Sequence, residues 1–251
     1  MAAEPIVAAC RRVATPPMLE DIVTMIGPSE GCVGPAAADG ARCATPRRWR
    51  GDIGIEVTVS QSAAAPQAHV MATAERFALD MAAATGRAVR VSARPPGAAP
   101  TADAPSATEP RAVIRLIVGI DAAQSLMAPR GVLHGFNPRA FGAKRVHCIA
   151  ITRSRAGALL AATVLIAGDV EGGLLDRCLL EELYNSTGLR ADPRGAAALL
   201  DVYPAVERDG LPAMSEDHAA MLRLYYAVPV EALTTPVAVG AAIADLCLAN
   251  R

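Results

Sequence analysis

The spacing of apolar positions predicts most of the regular structure in the chain. Apolar residues alternate with small or polar ones from 53 to 59, and a period of two is typical of a strand with one buried face. From 68 to 84 the apolar spacing becomes that of a helix, which Gly86 should end. We therefore expect a half-buried strand that leads into a long helix.

Apolar runs further along the chain predict additional strands and helices. Strands are expected at 88–91 and 113–120, and two runs separated by a short turn predict a hairpin at 148–152 and 159–166. Three helices follow, at 173–187, 215–226 and 236–249, and Ser215 is the expected N-cap of the second. The predicted order is one strand, one helix, several strands and then several helices. This order is typical of an α+β fold, or of a mixed sheet covered on one face.

The N-terminal part of the chain carries little periodicity. Pro16, Pro17 and a Gly/Pro/Ser cluster from 27 to 40 interrupt any regular element, so residues 1–46 are predicted to be a loosely ordered N-terminal segment. Residues 94–110 are rich in Pro, Ala and Thr and are predicted to form an exposed loop. Residues 47–251 are therefore expected to form one folded domain.

Composition and charge argue against two classes of partner. The chain has 24 basic and 25 acidic residues and a net charge of -1, so it has no overall field to attract nucleic acid. No apolar run reaches the roughly 18 residues that a membrane helix needs, and we expect no transmembrane segment. Arg47, Arg48 and Arg50 surround Trp49. They could grip a phosphate, but three arginines before a strand are more often a solvated edge.

Six cysteines without a C-x-x-C pair favour disulfides over a zinc ribbon. The candidate pairs are Cys32 with Cys43 and Cys148 with Cys178. Cys10 and Cys247 are then left without a partner. The other interpretation is that Cys178 and Cys247 are buried free thiols.

Residues 6–10 resemble the end of a bacterial lipoprotein signal, in which small residues precede a lipidated cysteine. The stretch before them is too short for an apolar region and carries Glu4. A lipid anchor at Cys10 and a chance match are therefore both open.

The stretch from 178 to 189 has the frame of a zinc-protease helix. In the pattern H-E-x-x-H, two histidines one turn apart bind zinc and the glutamate acts as general base. On that template Glu181 stands at the first ligand position, Glu182 at the base and Asn185 at the second ligand. Gly188 stands at the turn that ends the helix, and the third-ligand position falls beside Asp192. Because an amide is a weak zinc ligand, the sequence predicts neither a bound zinc nor another cofactor.

A metal site assembled in space is the alternative. The four histidines share no metal-ligand spacing, which by default indicates surface or hydrogen-bonded side chains. His134, His147 and Glu181 could still converge in three dimensions.

Two downstream segments extend the likeness to the metzincin proteases. Residues 199–204 stand where these proteases have their methionine turn, and Val202-Tyr203-Pro204 is similar to the Met-Tyr-Pro of matrixins. Residues 214–225, with Ser215 and Asp217 at the expected helix start and a final Leu-Tyr, resemble the last matrixin helix. The resemblance implies a zincin-like, metzincin-type α+β fold. Its mixed twisted sheet would pack on helices, with a central Glu-Glu helix in place of H-E-x-x-H.

A bacterial family, domain-of-unknown-function family 2927, is more similar still. Its members carry C-x-x-E-E-x-x-Q-x-x-G-L, followed by a Thr/Ser-x-x-Asp helix that ends in Leu-Tyr. The matching residues here are Cys178, Glu181, Glu182, Gly188, Leu189, Asp217 and Tyr225, although Ser215 stands two rather than three residues before Asp217. Asn185 departs from the usual Gln. The resemblance spans about residues 47–226 and implies an exported protein of the periplasm or outer membrane, but no established activity.

Three functions are compatible with these residues. A helix frame with unsuitable metal ligands favours a pseudoenzyme of the cell envelope, which binds a protein or a cell-wall component in the remnant cleft. Asn185, Asp192 and Tyr203 are its expected cleft residues. Alternatively, Glu182 assisted by Glu181 activates water in a hydrolase, with or without a metal. The third function is a structural envelope domain without a cleft ligand, and the pseudoenzyme is the leading hypothesis.

Overall fold

The structure is a computed structural model, and it describes residues 3–13, 23, 46–95, 112–120, 147–155, 157–189 and 206–250. All structural statements concern these residues. Most of the expected loop at 94–110 lies outside them.

Five helices and seven strands occur in the described residues. The helices are α1 (Ala3–Val13), α2 (Gln67–Thr85), α3 (Gly172–Asn185), α4 (Glu216–Ala227) and α5 (Pro236–Ala249), with a short 3-10 turn at Val230–Ala232. The strands are β1 (Ile53–Val59), β2 (Val89–Ala93), β3 (Ala112–Ile120), β4 (Cys148–Arg155), β5 (Ala158–Ala167), β6 (Val206–Arg208) and β7 (Leu211–Ala213).

Strands β1 to β5 form one mixed, mostly parallel sheet in the order β2-β1-β3-β5-β4. β1 runs parallel to β2 and β3, and β3 runs parallel to β5, whereas β4 is an antiparallel edge strand. In β1 the apolar positions of the alternating pattern are buried and the positions between them are half-buried. The register places Ile55 beside Ile114 and Val57 beside Leu116, so β1 and β3 share one buried face.

The helices pack on the sheet and on each other. α2 packs on β1 and β2, α3 packs on β4 and β5, and α2 also contacts α3 and α4. Phe77 and Met81 of α2 are fully buried, as are Leu179 and Leu183 of α3. The apolar stripe of α3 therefore faces the core.

Local sequence signals set the helix ends. Gly86 adopts a left-handed backbone conformation with φ 70° and ends α2 as expected. Ser215 caps α4 because its hydroxyl accepts the His218 N–H at 3.2 Å. Thr235 caps α5 in the same way. The expected order of elements and the β4–β5 hairpin are confirmed, with ends that shift by a few residues.

Helix α1 lies within the segment for which the sequence predicted little order. Its Cys10 is buried in the main core, and Arg12 donates to both Glu216 and Asp217 at the start of α4. A disulfide between Cys10 and Cys247 joins α1 to α5 across 237 residues of sequence. Contacts over such a distance leave no periodic signal within the segment itself.

The expectation that Cys10 and Cys247 lack a partner is wrong. Their Cα atoms are 5.3 Å apart, within the range of a disulfide. Because the Cys10 sulfur is bonded to Cys247, it cannot also carry the thioether of a lipid anchor, and that interpretation of Cys10 does not fit the structure. The free-thiol interpretation is also wrong, since every cysteine in the described residues is in a disulfide.

Two further features complete the described fold. β6 and β7 form a small antiparallel hairpin, which the sequence pattern did not predict because three residues per strand are too few to show a period. None of the described helices is long and apolar enough to cross a membrane.

Candidate functional site

Helix α3 follows the last parallel strand directly. β5 ends at Ala167 and α3 begins at Gly172. Near that end of β5, Ile166 pairs with Cys148, the first residue of the edge strand β4. Cys148 therefore lies near the carboxyl ends of the parallel strands, the edge at which open α/β sheets usually bind ligands.

A disulfide fixes α3 to this edge. Cys148 of β4 is bonded to Cys178 of α3, and their Cα atoms are 5.7 Å apart. Cys178 is fully buried and Cys148 is half-buried. This bond, called the β4–α3 disulfide below, is one of the two pairs predicted from the sequence, and it holds the middle of α3 against the start of β4.

The carboxylates of Glu181 and Glu182 converge beside the β4–α3 disulfide. Oxygens of both and the Cys148 Sγ all lie within 4.8 Å of one another. Adjacent helix residues project about 100° apart, so the two long side chains bend toward the same point. Glu182 is buried, with 7% exposure, and Glu181 is half-buried. Two carboxylates thus share a partly dry environment, in which electrostatic interactions are stronger than in water.

Asn185, one turn further along α3, contacts Glu182. Its Nδ2 donates to Glu182 Oε2 at 3.4 Å. In the zinc-protease template these two positions hold the second metal ligand and the general base. Here the amide donates to the carboxylate instead.

The donor set beside α3 does not fit a resident zinc ion. Protein zinc sites rely mainly on cysteine thiolates and histidine nitrogens, with fewer carboxylates. Distance alone groups Cys148 with the two glutamates, but its sulfur has no thiolate form while it is bonded to Cys178. The oxidised protein therefore offers only the two carboxylates of this group as metal ligands.

Helix α3 ends in a turn that requires glycine. Gly188 has φ 110°, and a Cβ at this position would lie 1.8 Å from the Arg47 carbonyl oxygen. The same carbonyl accepts the Tyr225 hydroxyl at 2.8 Å. Two residues of the sequence motif, the glycine and the tyrosine, therefore act in packing the end of α3.

Two aromatic side chains satisfy carbonyl groups at this end of α3. Trp49 donates its indole N–H to Ser186 O at 3.0 Å, and Tyr226 donates its hydroxyl to Thr187 O at 2.9 Å. Both rings are buried, and burial raises the pKa of Tyr226. The short segment before β1 is thus anchored to α3.

Arg48 of the same segment lies in the protein interior. Its Nη1 donates to the carbonyls of Tyr225, Tyr226 and Val228 at 3.1, 3.0 and 2.6 Å. The last carbonyls of a helix have no partner within the helix, and this guanidinium supplies one for α4. Burial lowers the pKa of Arg48. The predicted solvated edge is therefore wrong for Arg48, and so is a role of its side chain in gripping an external phosphate.

The first turn of α4 places a neutral histidine against α3. His218 Nδ1 lies 2.5 Å from Ser215 Oγ, and its ring meets the Tyr184 ring edge-on at 5.0 Å. Tyr184 also donates its hydroxyl to the His218 carbonyl at 3.2 Å. Burial lowers the pKa of His218 to about 4, so the imidazole is uncharged at neutral pH. Within the described part of the chain, its buried Nε2 has no hydrogen-bond partner.

The structure brings five of the predicted site residues together. These are Cys148, Cys178, Glu181, Glu182 and Asn185. The remaining candidates lie outside the described residues: Cys32, Cys43, His134, Asp192 and Tyr203. His147 directly precedes β4, but a site shared with His134 stays untested.

Sequence reasoning missed several residues that hold this region in place. The sequence predicts a solvated edge for the arginines around Trp49, and a surface or hydrogen-bonded position for His218. A single tryptophan beside arginines carries no signal of burial. Ser215 three residues before His218 did indicate a helix cap, but not the ring contact with Tyr184.

Comparison with protein-family models finds no match for this chain, and comparisons with curated proteins and with solved structures find no significant match either.

Proposed function

We propose that this protein is an exported cell-envelope protein whose metzincin-like domain is non-catalytic and binds a protein or a cell-wall component beside α3. The packing of α3 on a mixed sheet supports this proposal, because the zincin-like resemblance implies the same arrangement. The position of the Glu-Glu pair near the carboxyl ends of the parallel strands supports a ligand site there. Its carboxylates favour a ligand that presents ammonium or amide donors.

One observation carries the non-catalytic part of the proposal. Asn185 Nδ2 donates to Glu182 Oε2 at 3.4 Å, so the group at the second ligand position engages the group at the base position. A general base must face a water molecule or a substrate proton within hydrogen-bond reach. A carboxylate that a neighbouring amide already contacts is better suited to binding than to proton transfer.

The disulfides support an exported location. Cys10 is bonded to Cys247 and Cys148 to Cys178. Such bonds persist in oxidising compartments, among them the bacterial periplasm. A periplasmic or outer-membrane-associated protein is the corresponding proposal.

Cosedimentation with purified peptidoglycan sacculi tests the binding site. We expect the wild type to sediment with the sacculi and the double variant Glu181→Gln/Glu182→Gln to remain in solution. Glu75→Gln, an exposed position on α2, is the matched control and should behave as the wild type does.

A second arm of the experiment uses envelope proteins freed of peptidoglycan. Carboxylate-dependent binding in this arm alone would identify the ligand as a protein. If the wild type and the double variant bind equally in both arms, or neither binds, the proposed site is wrong.

A hydrolase is the second candidate, favoured by the convergence of two carboxylates within 4.8 Å at a partly buried position. Environments of this kind can separate the roles of acid and base between two carboxyl groups. Fluorogenic peptides and peptidoglycan are suitable substrates for the assay. Turnover by the wild type that falls at least about a hundredfold in Glu182→Gln would support the hydrolase, whereas the pseudoenzyme predicts no turnover by either protein.

A further inference from the structure

The β4–α3 disulfide holds two cysteine sulfurs that could bind a metal ion if the disulfide were reduced. Cys148 Sγ lies within 4.8 Å of oxygens of both Glu181 and Glu182. Cys178, the partner of Cys148, precedes these glutamates by three and four residues on α3. Residues at those spacings share one face of a helix. The Cys178 sulfur is bonded to Cys148 Sγ, so it lies next to the group that Cys148 Sγ forms with the two carboxylates.

We propose that reduction of the β4–α3 disulfide creates a zinc site from the two freed thiolates and the carboxylates of Glu181 and Glu182. Zinc binds sulfur at about 2.3 Å and carboxylate oxygen at about 2.0 to 2.2 Å, almost always with four ligands in structural sites. Two donor atoms on one such ion are therefore about 3.5 Å apart. Side-chain rotations cover the difference from the observed separation, since both glutamates are long and Cys148 sits at the end of a strand.

Charge favours metal binding in the reduced state. Two carboxylates beside a thiol oppose formation of the thiolate, because like charges repel. A divalent cation reverses this interaction, since it attracts thiolates and carboxylates alike. Cys148 and Glu181 are half-buried rather than sealed, so an ion can reach the site from solvent.

The reduction step needs a reductant of stated chemistry. A dithiol supplies two electrons and two protons: one of its thiolates attacks a sulfur of the disulfide, and its second thiol then resolves the mixed disulfide. The reductant leaves as a disulfide and the chain keeps two thiols. Zinc then displaces the two thiol protons, which pass to water. In an oxidising compartment the disulfide is the resting form, so the metal site forms only where such a dithiol acts.

Cobalt(II) is a suitable probe because sulfur-to-cobalt charge transfer reports thiolate ligation directly. The full chain is reduced without oxygen by a phosphine, which takes the oxygen of one water molecule to become the phosphine oxide while that water's two protons end on the sulfurs. After removal of the phosphine, cobalt is titrated. We expect the reduced wild type to bind one cobalt with a charge-transfer band that zinc then abolishes, and the oxidised wild type to show no such band.

Matched variants assign the ligands. Cys148→Ala/Cys178→Ala keeps the other four cysteines and should lose the band completely, whereas Cys10→Ala/Cys247→Ala should keep it. Glu181→Gln/Glu182→Gln should weaken cobalt binding at least about a hundredfold, since loss of even a hydrogen bond that supports a ligand costs about ten- to a hundredfold. Glu75→Gln should leave the affinity unchanged.

The proposal can still be tested if the reduced chain unfolds. Near-ultraviolet circular dichroism reports whether the reduced chain is folded, and a metal that binds only the native state must raise its stability. We then expect zinc to restore folding of the reduced wild type but not of the reduced Glu181→Gln/Glu182→Gln variant. The inference would be overturned if the reduced chain bound neither zinc nor cobalt, or if the charge-transfer band persisted in Cys148→Ala/Cys178→Ala. Neither result depends on whether the oxidised protein binds sacculi or envelope proteins.

Discussion

Gly188 sets the path of the backbone where α3 ends. Its φ of 110° lies in the region that favours glycine, and the Arg47 carbonyl occupies the space that a side chain would need. Any other residue would have to displace the segment that also carries Arg48 and Trp49. The glycine of the sequence motif is therefore explained by packing rather than by ligand binding.

Replacement of this glycine should be severe. We expect Gly188→Ala to lower the free energy of unfolding by about 3 kcal/mol or more, because a steric clash adds to backbone strain. Gly173→Ala in the first turn of α3 is the control, since no atom lies within 4 Å of a Cβ placed there, and it should be neutral or slightly stabilising. Urea unfolding followed by Trp49 fluorescence measures both. If Gly188→Ala were as stable as the wild type, the close contact between Gly188 and the Arg47 carbonyl would be contradicted.

His218 links the stability of the α3–α4 contact to pH. Burial, opposed only in part by the charge of Asp217, lowers its pKa from 6.5 to about 4. The unfolded chain therefore binds a proton as the pH falls below about 6.5, while the folded chain resists until about pH 4. Stability contributed by the neutral ring is complete above pH 6.5 and is lost as the pH falls toward 4.

The size of this pH effect on stability follows from the shift in the pKa of His218. Between pH 7 and pH 4.5 the wild type should lose about 2 kcal/mol more unfolding free energy than His218→Asn, at roughly 1.4 kcal/mol per pKa unit. Asparagine keeps a polar group beside Ser215 but does not titrate. Urea unfolding of both proteins at the two pH values gives the difference, in which other acid-sensitive groups cancel. Parallel losses in the two proteins would contradict the burial of a neutral imidazole.

At the scale of elements, Arg48 joins the segment before β1 to the end of α4. Its guanidinium donates to three carbonyls that no residue within the helix can satisfy. Arg48→Ala should therefore destabilise the fold by about 3 kcal/mol, because hydrogen bonds from a charged group are strong and buried carbonyls would lose their donor. Chemical denaturation measures the change. Arg90→Ala, at an exposed position of β2, is the control, with an expected effect within about 0.5 kcal/mol. Equal effects of the two changes would disprove the capping role.

Elements with a strong internal period were predictable from the sequence, and elements held by distant contacts were not. β1 was found because burial on one face imposes alternation, and α5 was found because Thr235 and Pro236 mark its start. α1 was missed because its order comes from α4 and from the disulfide to Cys247. Arg48 was misplaced for the same reason, since its carbonyl partners lie about 180 residues away.

At the scale of the whole molecule, the sequence predicted which residues of α3 and β4 belong to the candidate site but not how their side chains are arranged. The spacing within 178–189 selected the residues of α3, and the predicted order of strands allowed the pairing of Cys148 with Cys178. Adjacent residues project about 100° apart on a helix, yet oxygens of Glu181 and Glu182 and the Cys148 Sγ all lie within 4.8 Å of one another. The conformation of a long side chain depends on the residues packed around it, and these cannot be identified from the sequence alone.

Covalent bonds tie the described parts into one unit. One disulfide joins α1 to α5, and the other joins the edge of the sheet to α3. The second bond also withholds the Cys148 sulfur from any metal. On α3 of the oxidised protein, Glu181 and Asn185 occupy the positions that metal-binding histidines hold in the pattern H-E-x-x-H.

The zinc content of the protein, purified without chelator or reductant, tests this central claim most directly. Elemental analysis by plasma mass spectrometry should find far less than one zinc per chain, because the oxidised site offers no thiolate or imidazole among its described groups. One zinc per chain that survives extensive dialysis would contradict the account.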